Sequence, residues 1–88
     1  MNPKTYIITF EVSPQYLDGL ISAIKSYGTW ARITSNTWAV TTTGNAISVR
    51  NYLRGFITNE DRIFVIKSGY EAAWWNVHST SDWLKKNL

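Results

Sequence analysis

The sequence contains no cysteine, and the missing thiol excludes disulfides, thiolate nucleophiles and zinc sites built on Cys ligands. Its single histidine, His78, is predicted to be an ordinary surface residue. No glycine-rich phosphate loop is present, and no apolar run approaches the ~20 residues that a membrane helix needs. These absences leave few routes to catalysis. They predict no contact with membranes, and we expect a cytoplasmic location.

Apolar and aromatic residues are plentiful by contrast. Of the 88 residues, 44% are hydrophobic and 15% aromatic, and five are Trp. The length predicts one domain over residues 1–88, with a core at 1–69 and a Trp-rich tail at 70–88. A domain this small buries only roughly 60% of its chain surface, so the apolar surplus favours self-association. The net charge of +3 permits contact with a polyanion without requiring it.

The first half of the chain alternates strand and helix signals. Residues 6–12 are β-branched and aromatic in alternation, which predicts a strand. Ser13 as an N-cap, followed by Pro14 at the first helical position, predicts a helix start, and Gly28 predicts its end. Residues 29–34 and 37–42 predict two strands that are joined by a tight two-residue hairpin turn.

The second half repeats the pattern and then departs from it. Asn45 is a predicted cap for a second helix. The run 62–67 predicts a fourth strand that is apolar on both faces. Residues 72–77 could form a short fifth strand, and residues 79–88 predict a terminal helix that Ser79 would cap.

The order strand, helix, strand, strand, helix, strand predicts an α+β, ferredoxin-like βαββαβ fold. We expect one antiparallel sheet, two helices on one face, and a C-terminal extension of a short strand plus a helix.

Glu11 is the candidate for catalysis and metal binding, because it ends the first strand on the face without helices. A carboxylate there could hold Mg²⁺ or Mn²⁺, most readily as two copies across a dimer axis. The competing interpretation is a solvated glutamate at a strand end.

Basic and apolar residues suggest two further sites. A phosphate-contacting surface for DNA or RNA could form from five residues: Arg32, Arg50, Arg54, Lys85 and Lys86. Trp30 would share a strand face with Arg32 and could stack on a base, or it could simply fill the core. A homodimer interface could form from Ile7, Trp74 and Trp75.

The residues around the first strand resemble a known family. Phe10, Glu11 and Val12 resemble the aromatic, acidic and aliphatic ending of a first strand in CRISPR-associated protein 2. Small bacterial proteins labelled SinR-like, related to that family, are more similar still. They share the YIITF opening, the hairpin at residues 35–38, the strand DRIFVI and the ending DWLKKNL.

This resemblance implies a ferredoxin-like homodimer that packs through its sheet faces, with the tail adding to the partner's sheet. It also implies a nucleic-acid-related role and, at Glu11, a weak or lapsed metal-dependent nuclease. An alternative from another class is a non-enzymatic protein-interaction module, of the mobile-element or antidefence type, that acts through its sheet or tail.

Overall fold

The computed structural model describes residues 2–88, which form four strands and three helices. Along the chain these elements are β1 (Lys4–Glu11), α1 (Pro14–Lys25), β2 (Trp30–Thr34), β3 (Thr37–Thr42), α2 (Ala46–Arg54), β4 (Arg62–Lys67) and α3 (Ser81–Asn87). The predicted order of strands and helices up to β4 is confirmed. No helix within the described residues is long and apolar enough to cross a membrane.

The four strands form a single antiparallel sheet in the order β2-β3-β1-β4. β1 is central and pairs with β3 on one side and β4 on the other, so β2 and β4 are the edge strands. The turn at Ser35 and Asn36 joins β2 to β3, as the two-residue spacing predicts. The register of β2 shifts between Arg32 and Thr34, which marks an irregularity at that edge.

The core lies between one face of the sheet and the helices α1 and α2. β1 sends alternate side chains into it, because successive residues of a strand point to opposite faces. The buried residues of the core are Tyr6, Ile8, Phe10, Leu20, Ala23, Ile24, Trp38, Val40, Val49 and Leu53. The face of the sheet away from α1 and α2, which we call the outer face, includes Ile7, Thr9, Phe64 and Ile66.

The helix ends follow local chemistry. Pro14 occupies the first turn of α1, where its missing N–H has no helical partner to lose. Gly28 follows α1 with a φ of 87°, a left-handed conformation that favours glycine. Asn45 caps α2 by accepting from the Ser48 backbone N–H, while the Ser48 hydroxyl accepts from the Asn45 N–H.

The tail differs from its prediction. Residues 72–77 form no strand, and Asn76, with a φ of 55°, interrupts the extended backbone that pairing would need. α3 is capped by the Thr80 side chain, not by Ser79, and Thr80 accepts from the Trp83 N–H. The structure therefore has the terminal helix of the predicted extension but lacks its short strand.

α3 packs on the outer face of the chain's own sheet. Leu84 is only 1% exposed, and the Thr5 hydroxyl donates to the Asn87 carbonyl oxygen. Thr29 and Thr41 line the groove beside α3, which places the helix over the β2–β3–β1 side of the sheet. The tail thus supplies a third layer over part of the sheet.

The prediction that β4 is buried on both faces is wrong for this chain. Phe64 is 59% exposed and Ile66 is 51% exposed, both on the outer face. The reason is the strand order, because β4 is an edge strand and the groove beside α3 is lined from the opposite side of the sheet.

Candidate nucleic-acid interface

Three arginines line one open groove between α2 and β4. Arg50 and Arg54 lie one helical turn apart on α2, so their side chains share a face. Arg62, the first residue of β4, also lines this groove, which has a volume of about 490 Å³, while its guanidinium lies beside Glu11 on the outer face. We call this site the arginine groove.

The guanidinium groups of the arginine groove are lightly engaged. Arg50 donates from Nε and Nη2 to Asn51 Oδ1 at 3.2 and 3.0 Å. Arg62 Nη1 lies 3.4 Å from Glu11 Oε1, and both of these side chains are exposed. The Arg54 side chain has neither a hydrogen bond nor an ion pair within residues 2–88. Each group therefore keeps donors free for an anion, since a guanidinium carries five N–H bonds.

Asp61 also lines this groove, but its carboxylate is fully engaged with the protein. Oδ2 accepts from the Thr58 backbone N–H at 2.8 Å and hydroxyl at 3.0 Å. Oδ1 accepts from the Ser13 backbone N–H at 3.0 Å and hydroxyl at 3.1 Å. Ser13 precedes α1 without capping it through its own side chain, so Asp61 ties the start of α1 to the start of β4.

These contacts stabilise the charged form of Asp61. The Thr58 backbone N–H, followed by that of Ser13, lowers the pKa of the Asp61 carboxyl below its ordinary value. The two hydroxyls add to this effect and partial desolvation opposes it. An ionised carboxylate with four donors is a structural group, and it is a poor general base.

Glu11 lies where the sequence places it, at the end of β1 on the outer face and opposite Arg62 in the β1–β4 register. Its nearest charged neighbour is a cation, which competes with any metal ion for the carboxylate. Within residues 2–88, no group of three or more His, Cys, Asp or Glu side chains could hold a metal ion. A single chain therefore offers Glu11 as a lone carboxylate ligand.

The remaining predicted basic residues lie elsewhere. Arg32 is on β2, at the edge of the sheet opposite β4. Lys85 and Lys86 are on α3, which covers part of the outer face. The five predicted residues thus do not form one surface. The structure brings Arg50 and Arg54 together on α2, and Arg62 lines the same groove. The sequence indicated only that Arg62 is the first residue of a predicted strand.

Trp30 and Arg32 do share a strand face, since both are in register with core positions of β3. Trp30, however, packs against Trp38 with ring centroids 5.5 Å apart, and Lys25 Nζ lies 4.9 Å from the Trp30 ring centroid. Such packing and cation–π contact account for the residue without a nucleic-acid ligand.

The residues proposed for a dimer interface have different environments. Ile7 is half-buried at the centre of the outer face. Trp74 is half-buried, and its Nε1 donates to the Ser81 hydroxyl at 3.3 Å. Trp75 is 91% exposed. Trp74 therefore helps to fold the tail, whereas Trp75 is free to contact a partner.

No protein-family model matches this chain, and neither does any curated protein.

Proposed function

We propose that this chain is a small homodimeric protein that binds the phosphate backbone of nucleic acid, with a ferredoxin-like fold of the kind found in CRISPR-associated protein 2. The arginine groove carries the proposal, because two arginines of α2 and one of β4 line the same open groove. The antiparallel sheet and the order of its elements are compatible with that fold.

The chemistry of the groove suits phosphate. Guanidinium groups donate paired N–H bonds that match phosphate oxygens, and they are weakly hydrated compared with an ammonium. Its other lining residues are Ile57, Thr58, Asn59, Asp61 and Ile63, so no aromatic side chain within residues 2–88 lines the groove. Contacts of this type position a protein on the backbone and carry no direct sequence information.

Binding is better supported than cleavage. A nuclease needs a hard cation held beside the scissile phosphate by carboxylate oxygens. Glu11 is paired with Arg62, and Asp61 is occupied by Ser13 and Thr58. A lapsed nuclease is consistent with this arrangement, and Glu11 remains the residue on which any activity would depend.

The test is the double replacement Arg50→Glu and Arg54→Glu. We expect it to weaken binding to unrelated DNA and RNA sequences by a similar factor. The reason is that it removes arginine contacts to the phosphate backbone and adds carboxylates that repel the phosphates. Fluorescence anisotropy at low salt measures the affinity. Lys85→Glu with Lys86→Glu makes the same charge change on α3, and we expect it to cause a smaller loss. Absence of binding by the unmodified protein at low salt would reject the proposal.

A second candidate function is a protein-interaction module of the mobile-element or antidefence type. It is favoured by two aromatic side chains in the irregular segment between β4 and α3, since Tyr70 is fully exposed and Trp75 is 91% exposed. Exposed aromatic residues are typical anchors of protein interfaces. A stable complex with another protein, formed without any affinity for nucleic acid, would favour this candidate.

A further inference from the structure

The two edges of the sheet are protected unequally. At β2 the register is irregular between Arg32 and Thr34, and the tail lies alongside, with the His78 backbone N–H donating to the Ile33 carbonyl oxygen at 3.0 Å. β4 pairs with β1 over six consecutive residues without a shift, and no other strand of residues 2–88 pairs with its outer side. Folded proteins normally blunt a regular, apolar edge unless a partner covers it.

The alternation of the ladder shows which backbone groups β4 leaves unpaired. The Ser68 N–H donates to the Thr5 carbonyl oxygen at 2.9 Å, and Ser68 follows β4 directly in the same register. Backbone groups of an antiparallel strand point alternately to either side. Phe64 and Ile66 therefore bond to β1, while the N–H and C=O groups of Ile63, Val65 and Lys67 point outward.

We propose that the outer edge of β4 pairs antiparallel with β4 of a second copy of this chain, with Phe64 on the two-fold axis. This inference rests on the homodimer of the proposed function and specifies its interface. The two four-stranded sheets then become one continuous sheet of eight strands.

This register matches side chains as well as backbone. Ile63 lies opposite Val65 of the second copy, so their outward amides and carbonyls exchange hydrogen bonds and their apolar side chains meet. Phe64 meets Phe64 across the axis on the outer face, where each is otherwise 59% exposed. Lys67 arrives opposite Asp61, which is ionised and follows Glu60, so opposite charges meet at both ends of the ladder.

A second copy fits this edge better than a strand of another protein. A two-fold interface needs a self-complementary surface, and this register is self-complementary in hydrogen bonds, apolar pairs and charge. It also places the two copies of Arg62 four strand positions apart, about 13 Å along the sheet.

The chain has no cysteine, so a single introduced cysteine can form a disulfide only with the same residue of a second copy. Disulfide formation therefore tests which residues lie opposite each other. Residues opposite each other in a non-hydrogen-bonded pair have Cα atoms about 4.5 Å apart, within reach of a disulfide. We expect Phe64→Cys to form a covalent dimer on mild oxidation. Ile66→Cys should not, since its two copies would lie about 13 Å apart. Ile47→Cys on α2, at a site 60% exposed, is the matched surface control.

Amide hydrogen exchange on the unmodified protein tests the edge without any substitution. The amides of Phe64 and Ile66 bond to β1 and should be protected in any assembly. Those of Ile63 and Val65 should be protected only in the edge-paired dimer.

Light scattering separates this inference from the broader proposal. A dimer in which the amides of Ile63 and Val65 exchange freely would overturn the edge pairing and leave the homodimer standing. A monomer across the whole concentration range would overturn both. Cross-linking through Val65→Cys or Ile66→Cys, but not through Phe64→Cys, would overturn the register.

Discussion

The side chain of Asp61 joins the start of α1 to the connection between α2 and β4. Its two oxygens accept from two residues that lie far apart in sequence, Ser13 and Thr58. Nothing in the sequence distinguishes it from Glu60, its neighbour in a polar turn. Only the folded arrangement of the β1–α1 and α2–β4 connections gives it four donors.

Replacing Asp61 with Asn should lower stability in a pH-dependent way. The pKa of Asp61 is lower in the folded chain than in the unfolded chain, where it is about 3.9. Its contribution is therefore complete above pH ~4 and is lost as the pH falls through the folded pKa. Thermal melts should show a large gap between the wild type and Asp61→Asn at neutral pH and a smaller gap in acid.

Ser13→Ala is the matched comparison, because it removes one hydroxyl donor and keeps the carboxylate. It should lower the melting temperature less than Asp61→Asn does. An equal gap between wild type and Asp61→Asn at neutral and acid pH would show that the charge of Asp61 is not what stabilises the fold.

Glu11 is the second residue whose role can be isolated. Any intrinsic nuclease activity is expected to require Mg²⁺ or Mn²⁺ and to disappear in Glu11→Gln, which keeps the shape of the side chain while removing its charge. Folding should survive, because the ion pair with Arg62 is exposed and such pairs contribute little. Cleavage that continues undiminished in purified Glu11→Gln protein would point to another site or a contaminant.

At the scale of the elements, most short-range signals predicted the structure correctly, although Thr80 caps α3 in place of Ser79 and Ser13 makes no side-chain cap of α1. The cap at Asn45, the Pro14 helix start, the Gly28 stop and the two-residue hairpin all depend on neighbouring residues, and all are confirmed. Each is decided by backbone geometry within a few positions, so the sequence alone can specify it.

Features that depend on contacts between distant parts of the chain were not predicted from the sequence. The segment 72–77 has strand-forming residues, but a strand also needs a partner, and the tail makes a single backbone bond to β2 through His78. The exposure of Phe64 and the presence of Arg62 in the arginine groove depend on strand order and register. Neither the strand order nor the register can be read from the local periodicity of the sequence.

Docking of α3 can be measured through Leu84, which is 1% exposed. Leu84→Ala should lower the free energy of unfolding by about 2–3 kcal/mol, because it removes buried methyl groups and leaves a cavity. Urea denaturation measures the loss. Lys85→Ala, on the exposed side of the same helix, should change stability by less than about 0.5 kcal/mol. Equal stabilities of the two variants would mean that α3 is not docked in solution.

For the molecule as a whole, charge placement should matter more than total charge. Arg50→Glu with Arg54→Glu changes the charge by four, from +3 to −1, and so does Lys85→Glu with Lys86→Glu. If the arginine groove holds the phosphates, only the first pair should flatten the plot of log affinity against log salt, by a slope of about 2 for duplex DNA. Equal flattening by both pairs would indicate a diffuse electrostatic attraction.

The central position of β1 has a consequence for how the chain folds during synthesis. β1 leaves the ribosome before β3 and β4, the two strands that flank it, and well before α3, which lies over its outer face. α1 and β3 can cover its core face early, but β4 and α3 reach it only from the far end of the chain. Contacts between residues far apart in sequence slow folding, and they prolong the time for which an aggregation-prone strand is exposed. The first strand to be made is therefore fully enclosed only when the chain is nearly complete.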